Sequence, residues 1–303
     1  MPSKVEKRFA KAVRGSGLVS EEDLQRAINR ARRGDGLYPE IWVATGAPYT
    51  PVPNGGDPTV AFRLADGVAI YGGFLGNETE RSQRNPDTQP AFLSGDGSSH
   101  HVVEAIDVGP TAILDGFFIQ QGNANEPGGD EGIPPNVFDR GGGIFIHNAS
   151  PTINRCTIRT NSASALGGGV YVDGGAPQIS NCEVLFNDAG ESGSGLYVAS
   201  GDPNIANSSF TQNEPVPSGG GISIADGNAA LTRVTVEQHS SVTTGGGVAI
   251  IGGAPSFTDC TFATNVADAE GGGVYVGQAR PTFSGCMFNG NTSGSDGGGL
   301  YVE

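Results

Sequence analysis

The sequence predicts an all-β solenoid: a right-handed, three-sided parallel β-helix with 26-residue coils and a short N-terminal capping helix. Three observations carry this reading. A block of three glycines (once Gly-Ser-Gly) starts at residues 141, 167, 193, 219, 245, 271 and 297, always 26 residues apart. A fixed period of that length marks a repeat architecture. After each block the third and fifth offsets are apolar, as in Ile144/Ile146, Val170/Val172, Leu196/Val198 and Val274/Val276. This period-two alternation makes a strand with one buried face. Offset twenty holds Asn161, Asn187, Asn213, His239, Asn265 and Asn291. Identical amides recurring once per coil can hydrogen-bond to one another when coils stack about 4.8 Å apart. Asparagine also tolerates the left-handed conformation that a sharp corner requires. The right hand follows from the handedness of parallel crossovers.

Two further strands fit within each repeat. A turn ends at Pro151, Pro177, Pro203, Ala229, Pro255 and Pro281, residues suited to opening a strand because proline donates no hydrogen bond. Ile153, Ile179, Ile205, Leu231, Phe257 and Phe283 follow, then Cys156, Cys182, Ser208, Val234, Cys260 and Cys286, then Ile158, Val184, Phe210, Val236, Phe262 and Phe288. Three short strands fill the repeat, with no room for a helix. Collagen, the calcium-binding nonapeptide repeat and the propeller blade are all excluded by spacing.

The unbroken period argues for one elongated solenoid over residues 37–303, irregular in 37–140 and regular in 141–303, behind a basic segment at 1–36. Residues 1–33 hold nine Lys/Arg and four Asp/Glu, a net of +5; the other 270 residues hold eight and 28, a net of −20, summing to the −15 of the chain. An acidic body disfavours nucleic acid and anionic membranes. No secretory signal follows Met1, and no stretch is long and apolar enough to span a bilayer as a helix.

Taken in order, residues 3–14 place Val5, Phe9 and Val13 among basic residues, as an amphipathic helix on the body or on a membrane surface, or as a frayed tail. Residues 21–33 read as a helix capped by Ser20 with Asp23, its apolar face being Leu24, Ala27, Ile28 and Ala31. Its expected role is to cover the first coil, whose open edges invite aggregation. Ile41-Trp42-Val43-Ala44 reads as the first strand, and Gly76–Pro90 as a long polar loop. Leu114–Ala124 aligns with Ile153–Ala163 at an offset of 39, one repeat plus thirteen residues inserted within Asn125–Arg140. A long loop on a rigid scaffold is either a binding element or a solvated excursion.

The segments Ile41–Ala44, Asp66–Thr79, Leu93-Ser94-Gly95-Asp96 and Leu114-Asp115-Gly116-Phe117, with the later glycine blocks, resemble bacterial right-handed β-helix repeat proteins; the later coils are similar to the repeats of chlamydial polymorphic outer-membrane proteins. The resemblance covers about residues 38–303. It implies the pectin-lyase-like fold and an extracellular or cell-surface setting, and it carries no catalytic signature. The export signal usual in such proteins is missing, and Glu303 falls just inside a coil, so a fragment of a longer protein is expected.

Candidate chemistry is sparse. Offset four, on the outer face, reads Phe145, Tyr171, Tyr197, Ser223, Ala249, Tyr275 and Tyr301, with no acid or base among them. The five aromatics are the candidate binding residues: either rings stacked for stability, or a flat platform for sugar rings in two patches. His100, His101, His147 and His239 show no triad or ligand spacing, and His239 reads as a substitute in the asparagine column. The four cysteines share one column and read as buried thiols, with disulfides as the alternative. Asp188 with Glu214, and Glu270 with Asp296, stack in adjacent coils. They splay into water or share a calcium ion, although calcium wants six or more oxygens; no other cofactor is implied. The expected function is a non-catalytic, adhesive or glycan-binding surface scaffold. A polysaccharide lyase or glycoside hydrolase on the same fold, and a purely structural stalk, are the alternatives. Expected partners are glycans or a cell-surface molecule, with end-to-end self-association through the last coil.

Overall fold

The computed structural model describes residues 10–12, 24, 28, 40–51, 56–126 and 137–303. Over the described residues the chain winds as a right-handed parallel β-solenoid of about ten coils, about 26 residues each, with almost no helix. Three long parallel sheets run its length. A ten-stranded sheet includes Glu40–Ala44, Ala69–Phe74, Ile113–Asp115 and Thr152–Asn154, and we call it the proline sheet after the residue preceding its later strands. A nine-stranded glycine-block sheet includes Phe62–Arg63, Val103–Ile106, Ile144–His147 and Val170–Asp173. An eight-stranded cysteine sheet includes Ala91–Ser94, Phe117–Gln120 and Thr157–Arg159. Equivalent residues pair directly between coils, as in Ile144 with Val170 and Ile153 with Ile179. The inward residues, Ile144, Ile146, Ile153 and Ile158 among them, are fully buried and merge into one core along the axis.

A fourth strand, not expected from the repeat, closes each corner. Asn123–Ala124, Ser162–Ala163 and Asp188–Ala189 form one short sheet, and Val216–Ser218, Ser240–Thr244, Val266–Ala267 and Thr292–Ser293 form another. The glycine blocks make room for this corner. Gly167 has φ of +63°, a Cβ on Gly168 would overlap the carbonyl oxygen of Asp188, and one on Gly169 would sit 2.6 Å from the carbonyl oxygen of Gly195. At Ser194 the second glycine is replaced. Its hydroxyl accepts the Ala189 amide at 3.1 Å, and between these coils the short corner sheet is interrupted.

The polar column forms the ladder expected of it, closed at Asn161, Asn187, Asn213 and Asn265. Asn161 Nδ2 donates to Asn187 Oδ1 at 3.0 Å, and Asn187 Nδ2 to Asn213 Oδ1 at 3.0 Å. Each Oδ1 also accepts the backbone amide of the preceding rung, 3.1 Å for Asn161 N to Asn187 Oδ1. His239 continues the chain: Asn213 Nδ2 donates to its Nε2 at 3.0 Å, and its Nδ1–H donates to Asn265 Oδ1 at 3.2 Å. Burial lowers the His239 pKa to about 4, so the ring is neutral at pH 7. One detail is corrected. The left-handed residues are not the asparagines but their predecessors, Thr160, Phe186, Gln212, Gln238 and Thr264, with φ from +51° to +59°. The side-chain amide is thereby left free to point inward.

The N-terminal expectations are answered in part. Ala10–Ala12 forms a strand paired in parallel with Ile41–Val43 and not a helix, because the open edge of the proline sheet offers it backbone partners. Leu24 and Ile28 are helical and buried in the core; the rest of 21–33, with the Ser20 cap, lies outside the described residues. The loop from Gly76 to Pro90 is clamped to the outside of the proline sheet. Arg84 Nη2 meets Asp115 Oδ1 at 2.6 Å with both side chains nearly buried, and Arg81 bridges Glu40 at 2.7 Å and the Tyr71 hydroxyl at 2.9 Å. Beneath them Trp42 stacks on Phe74 at 4.7 Å.

Candidate functional site

Alternation along the glycine-block sheet turns offset four outward, and the coil register makes it one continuous column. It runs Arg63, Glu104, Phe145, Tyr171, Tyr197, Ser223, Ala249, Tyr275, Tyr301. The five aromatics singled out from the sequence therefore do share one face, in two groups parted by Ser223 and Ala249. Within each group the rings stack nearly parallel: 5.6 Å for Phe145–Tyr171, 5.8 Å for Tyr171–Tyr197 and 5.7 Å for Tyr275–Tyr301. Facing outward does not leave all five rings open to solvent. Phe145 and Tyr171 are buried, at 1% and 4% exposure, while Tyr197, Tyr275 and Tyr301 are half-buried.

The cover comes from two directions. Arg140 donates to the Tyr171 hydroxyl at 3.2 Å, lies 5.4 Å from its ring centre, and is itself held by Asp139 at 2.9 Å. His101 stacks on Phe145 at 4.8 Å, and His100 on Phe138 at 4.4 Å. His101 Nδ1–H donates to the Gly141 carbonyl at 3.0 Å, and burial lowers its pKa to about 4. Among the described residues, both His100 nitrogens and Ser99 Oγ are buried without a hydrogen-bond partner; Glu126 Oε2 stands 3.7 Å from His100 Nε2. Phe138, Asp139 and Arg140 belong to the predicted insertion; residues 127–136 of it lie outside the described residues.

The first two members of the column are a cation and a carboxyl, neither of which occurs at this offset in the regular repeats. Arg63 Nε donates to Glu104 Oε2 at 2.7 Å. Glu104 is 2% exposed, and burial raises its pKa while Arg63 partly offsets this. The pair lines a groove of about 400 Å³ with Asp66, Ile106 and Asp107. One coil beyond Ile106 stands His147, whose Nδ1–H donates to Asp173 Oδ2 at 3.1 Å, fixing Nε2 as the acceptor of the Asn148 amide at 3.1 Å. Ser200 Oγ donates to Asp173 Oδ1 at 2.9 Å. The sequence pattern missed this cluster for a countable reason. Val103 pairs with Ile144, a step of 41, whereas Leu114 pairs with Ile153, a step of 39, because the turn between Ile106 and Ile113 is two residues longer than its counterpart. Extending the alternation of Val103–Ile106 separately would have placed Glu104 in the aromatic column.

The carboxylate stacks stay apart from this cluster. Asp188, Glu214 and Asp296 are exposed and Glu270 is half-buried. Among the described residues no group of three or more His, Cys, Asp or Glu is placed to hold a metal ion.

The fold is a right-handed parallel β-helix, and the family model described as the right-handed β-helix region matches residues 134–262 of the chain. No curated protein and no solved structure matches the chain.

Proposed function

We propose that this protein is a non-catalytic β-helix scaffold, working outside the cell or at its surface, that binds glycans through the outer face of the glycine-block sheet. The observation that carries the reading is the pair of stacked tyrosines at the end of the column, Tyr275 over Tyr301 at 11° between planes, both half-buried with part of each ring open. Tyr197 adds a third partly open ring. Flat, preordered rings present an apolar surface to the C–H faces of sugars at little entropic cost, and tyrosine hydroxyls add hydrogen bonds at the rim. The stripe repeats along the axis, so weak contacts with an extended polymer add. The Tyr275 hydroxyl donates to Glu303 Oε2 at 2.9 Å, which sets the ring's orientation. The test is affinity electrophoresis through gels carrying plant, bacterial or host polysaccharides. The protein is retarded by at least one of them, and the Tyr275→Ser/Tyr301→Ser variant is not. Equal retardation of both proteins, or none in any gel, removes the proposal.

A second reading is favoured by one observation, the groove beside Glu104. A buried carboxyl with a raised pKa and an adjacent guanidinium in a groove are parts of an acid–base site on carbohydrate. In it Glu104 donates a proton to the leaving oxygen. Reducing-sugar release by the unmodified protein, lost in Glu104→Gln, decides for this reading.

A further inference from the structure

The column of cysteines contains two pairs and no other thiol neighbours. Cys156 adjoins Cys182, and Cys260 adjoins Cys286; Ser208 and Val234 separate the pairs, and Phe117 precedes the first. Within each pair the backbones are held side by side, by Glu183 N–H to the Cys156 carbonyl at 3.0 Å and Met287 N–H to the Cys260 carbonyl at 2.8 Å. Stacked coils place such Cα atoms about 4.8 Å apart, within the roughly 4.4–6.8 Å that a disulfide spans. All four are free thiols in the structure. Each lies near the carbonyl two residues back, from 3.2 Å for Cys182 to 3.6 Å for Cys286. The pairs differ in access. Cys156, Cys182 and Cys260 are buried, whereas Cys286 is half-buried.

From this arrangement we infer that the two pairs are sites of vertical disulfides that staple adjacent coils, and that in the 303-residue chain, where Cys286 is half-buried, access sets their order of closure: Cys260–Cys286 closes in the folded protein, Cys156–Cys182 only while the chain folds. With glutathione disulfide as oxidant, the Cys286 thiolate attacks one of its sulfurs. The glutathione S–S bond breaks, glutathione thiolate leaves, and a mixed disulfide forms on Cys286. The Cys260 thiolate then attacks the Cys286 sulfur and expels the second glutathione. The protein loses two electrons and two protons, and glutathione disulfide is reduced to two thiols. The buried pair is closed to the first step, because both thiols are buried out of an oxidant's reach and burial pushes the Cys156 thiol up. Ser208, whose hydroxyl accepts the Cys182 amide at 3.1 Å, and Val234 give the pairs no route to exchange.

The experiment treats the folded 303-residue protein with glutathione disulfide and maps the bridges by non-reducing peptide mass spectrometry. The expected product is one Cys260–Cys286 bridge, the protein being about 2 Da lighter. Unfolding and refolding in the same oxidant yields both bridges, and the melting temperature rises with each. In Cys260→Ser, Cys286 retains its glutathione, which shows that Cys260 is the resolving thiol. The inference is overturned by a lasting glutathione adduct on Cys286 in the unsubstituted protein. It is equally overturned by Cys156–Cys182 closing first, by a bridge across the pairs, or by four unreacted thiols after refolding.

Discussion

Replacing Asn187 by leucine removes one rung of the ladder in the middle of the regular coils. Asn187 Oδ1 is the acceptor for both the backbone N–H of Asn161 and one of its side-chain hydrogens, at 3.1 and 3.0 Å. Its own Nδ2 donates to the Ile158 carbonyl at 2.9 Å and to Asn213 Oδ1 at 3.0 Å. Asn213 Oδ1 keeps the Asn187 backbone donor at 3.0 Å, so its loss is partial. Two buried donors on Asn161 are left without an acceptor, at about 1–3 kcal/mol each. The buried leucine side chain returns about 1.5–3 kcal/mol. The net expectation is a destabilisation of about 1–3 kcal/mol, concentrated at one coil. Hydrogen exchange resolves this better than a global melt, since stability in a solenoid is a sum over neighbouring coils. The Asn161 amide exchanges about ten- to hundredfold faster in the variant, while amides five coils away keep their rates. Gln178→Leu, on the outer face of the neighbouring strand, serves as the comparison and changes stability by less than about 0.5 kcal/mol. An Asn187→Leu effect no larger than that comparison refutes the ladder as the source of register.

Three further outcomes follow from other contacts. Phe186 holds φ of +54° with its ring 45% exposed, so Phe186→Asn relieves strain at little packing cost and stabilises by about 0.5–1 kcal/mol in thermal melts. His239 and His101 have native pKa values lowered to about 4, below the unfolded value near 6.5. Both stay neutral in the fold but charge in the unfolded chain, so their contribution is whole above pH 6.5 and is lost as pH falls towards 4, on the order of 3 kcal/mol for each. His239→Asn removes one share and flattens the acid limb of a stability–pH curve; an unchanged limb contradicts the assignment. Arg84→Met leaves Asp115 with only the Asn154 amide at 2.9 Å and costs about 3 kcal/mol or more. It also loosens the Gly76–Pro90 loop over Trp42, the one tryptophan, whose fluorescence then shifts before global unfolding.

The regular coils were legible because each column repeats one physical requirement. Ile144 and Val170 bury the same face, Gly168 clears the same carbonyl, and Asn161 and Asn187 fill the same corner. Such constraints are local to one coil spacing and survive as a period. What lay outside the period was lost. The left-handed corner falls on Thr160 and Phe186, one residue before the asparagines, and neither residue type announces that conformation. The burial of Phe145 and Tyr171 comes from Arg140 and His101, which approach from the insertion and from an irregular coil. Glu104 was hidden by the unequal steps of 41 and 39 on either side of one lengthened turn. The edge pairing of Ala10–Ala12 depends on an open sheet and not on the basic amphipathic pattern around it.

The most direct test of the proposed function is hydrogen exchange of the protein with and without a retained polysaccharide, read strand by strand. The account predicts added protection on Leu196–Ser200, Val274–Val276 and Leu300–Val302, which carry Tyr197, Tyr275 and Tyr301, and none on the outer strands of the proline sheet. Protection confined to the proline or cysteine sheets, or spread evenly along the solenoid, contradicts it.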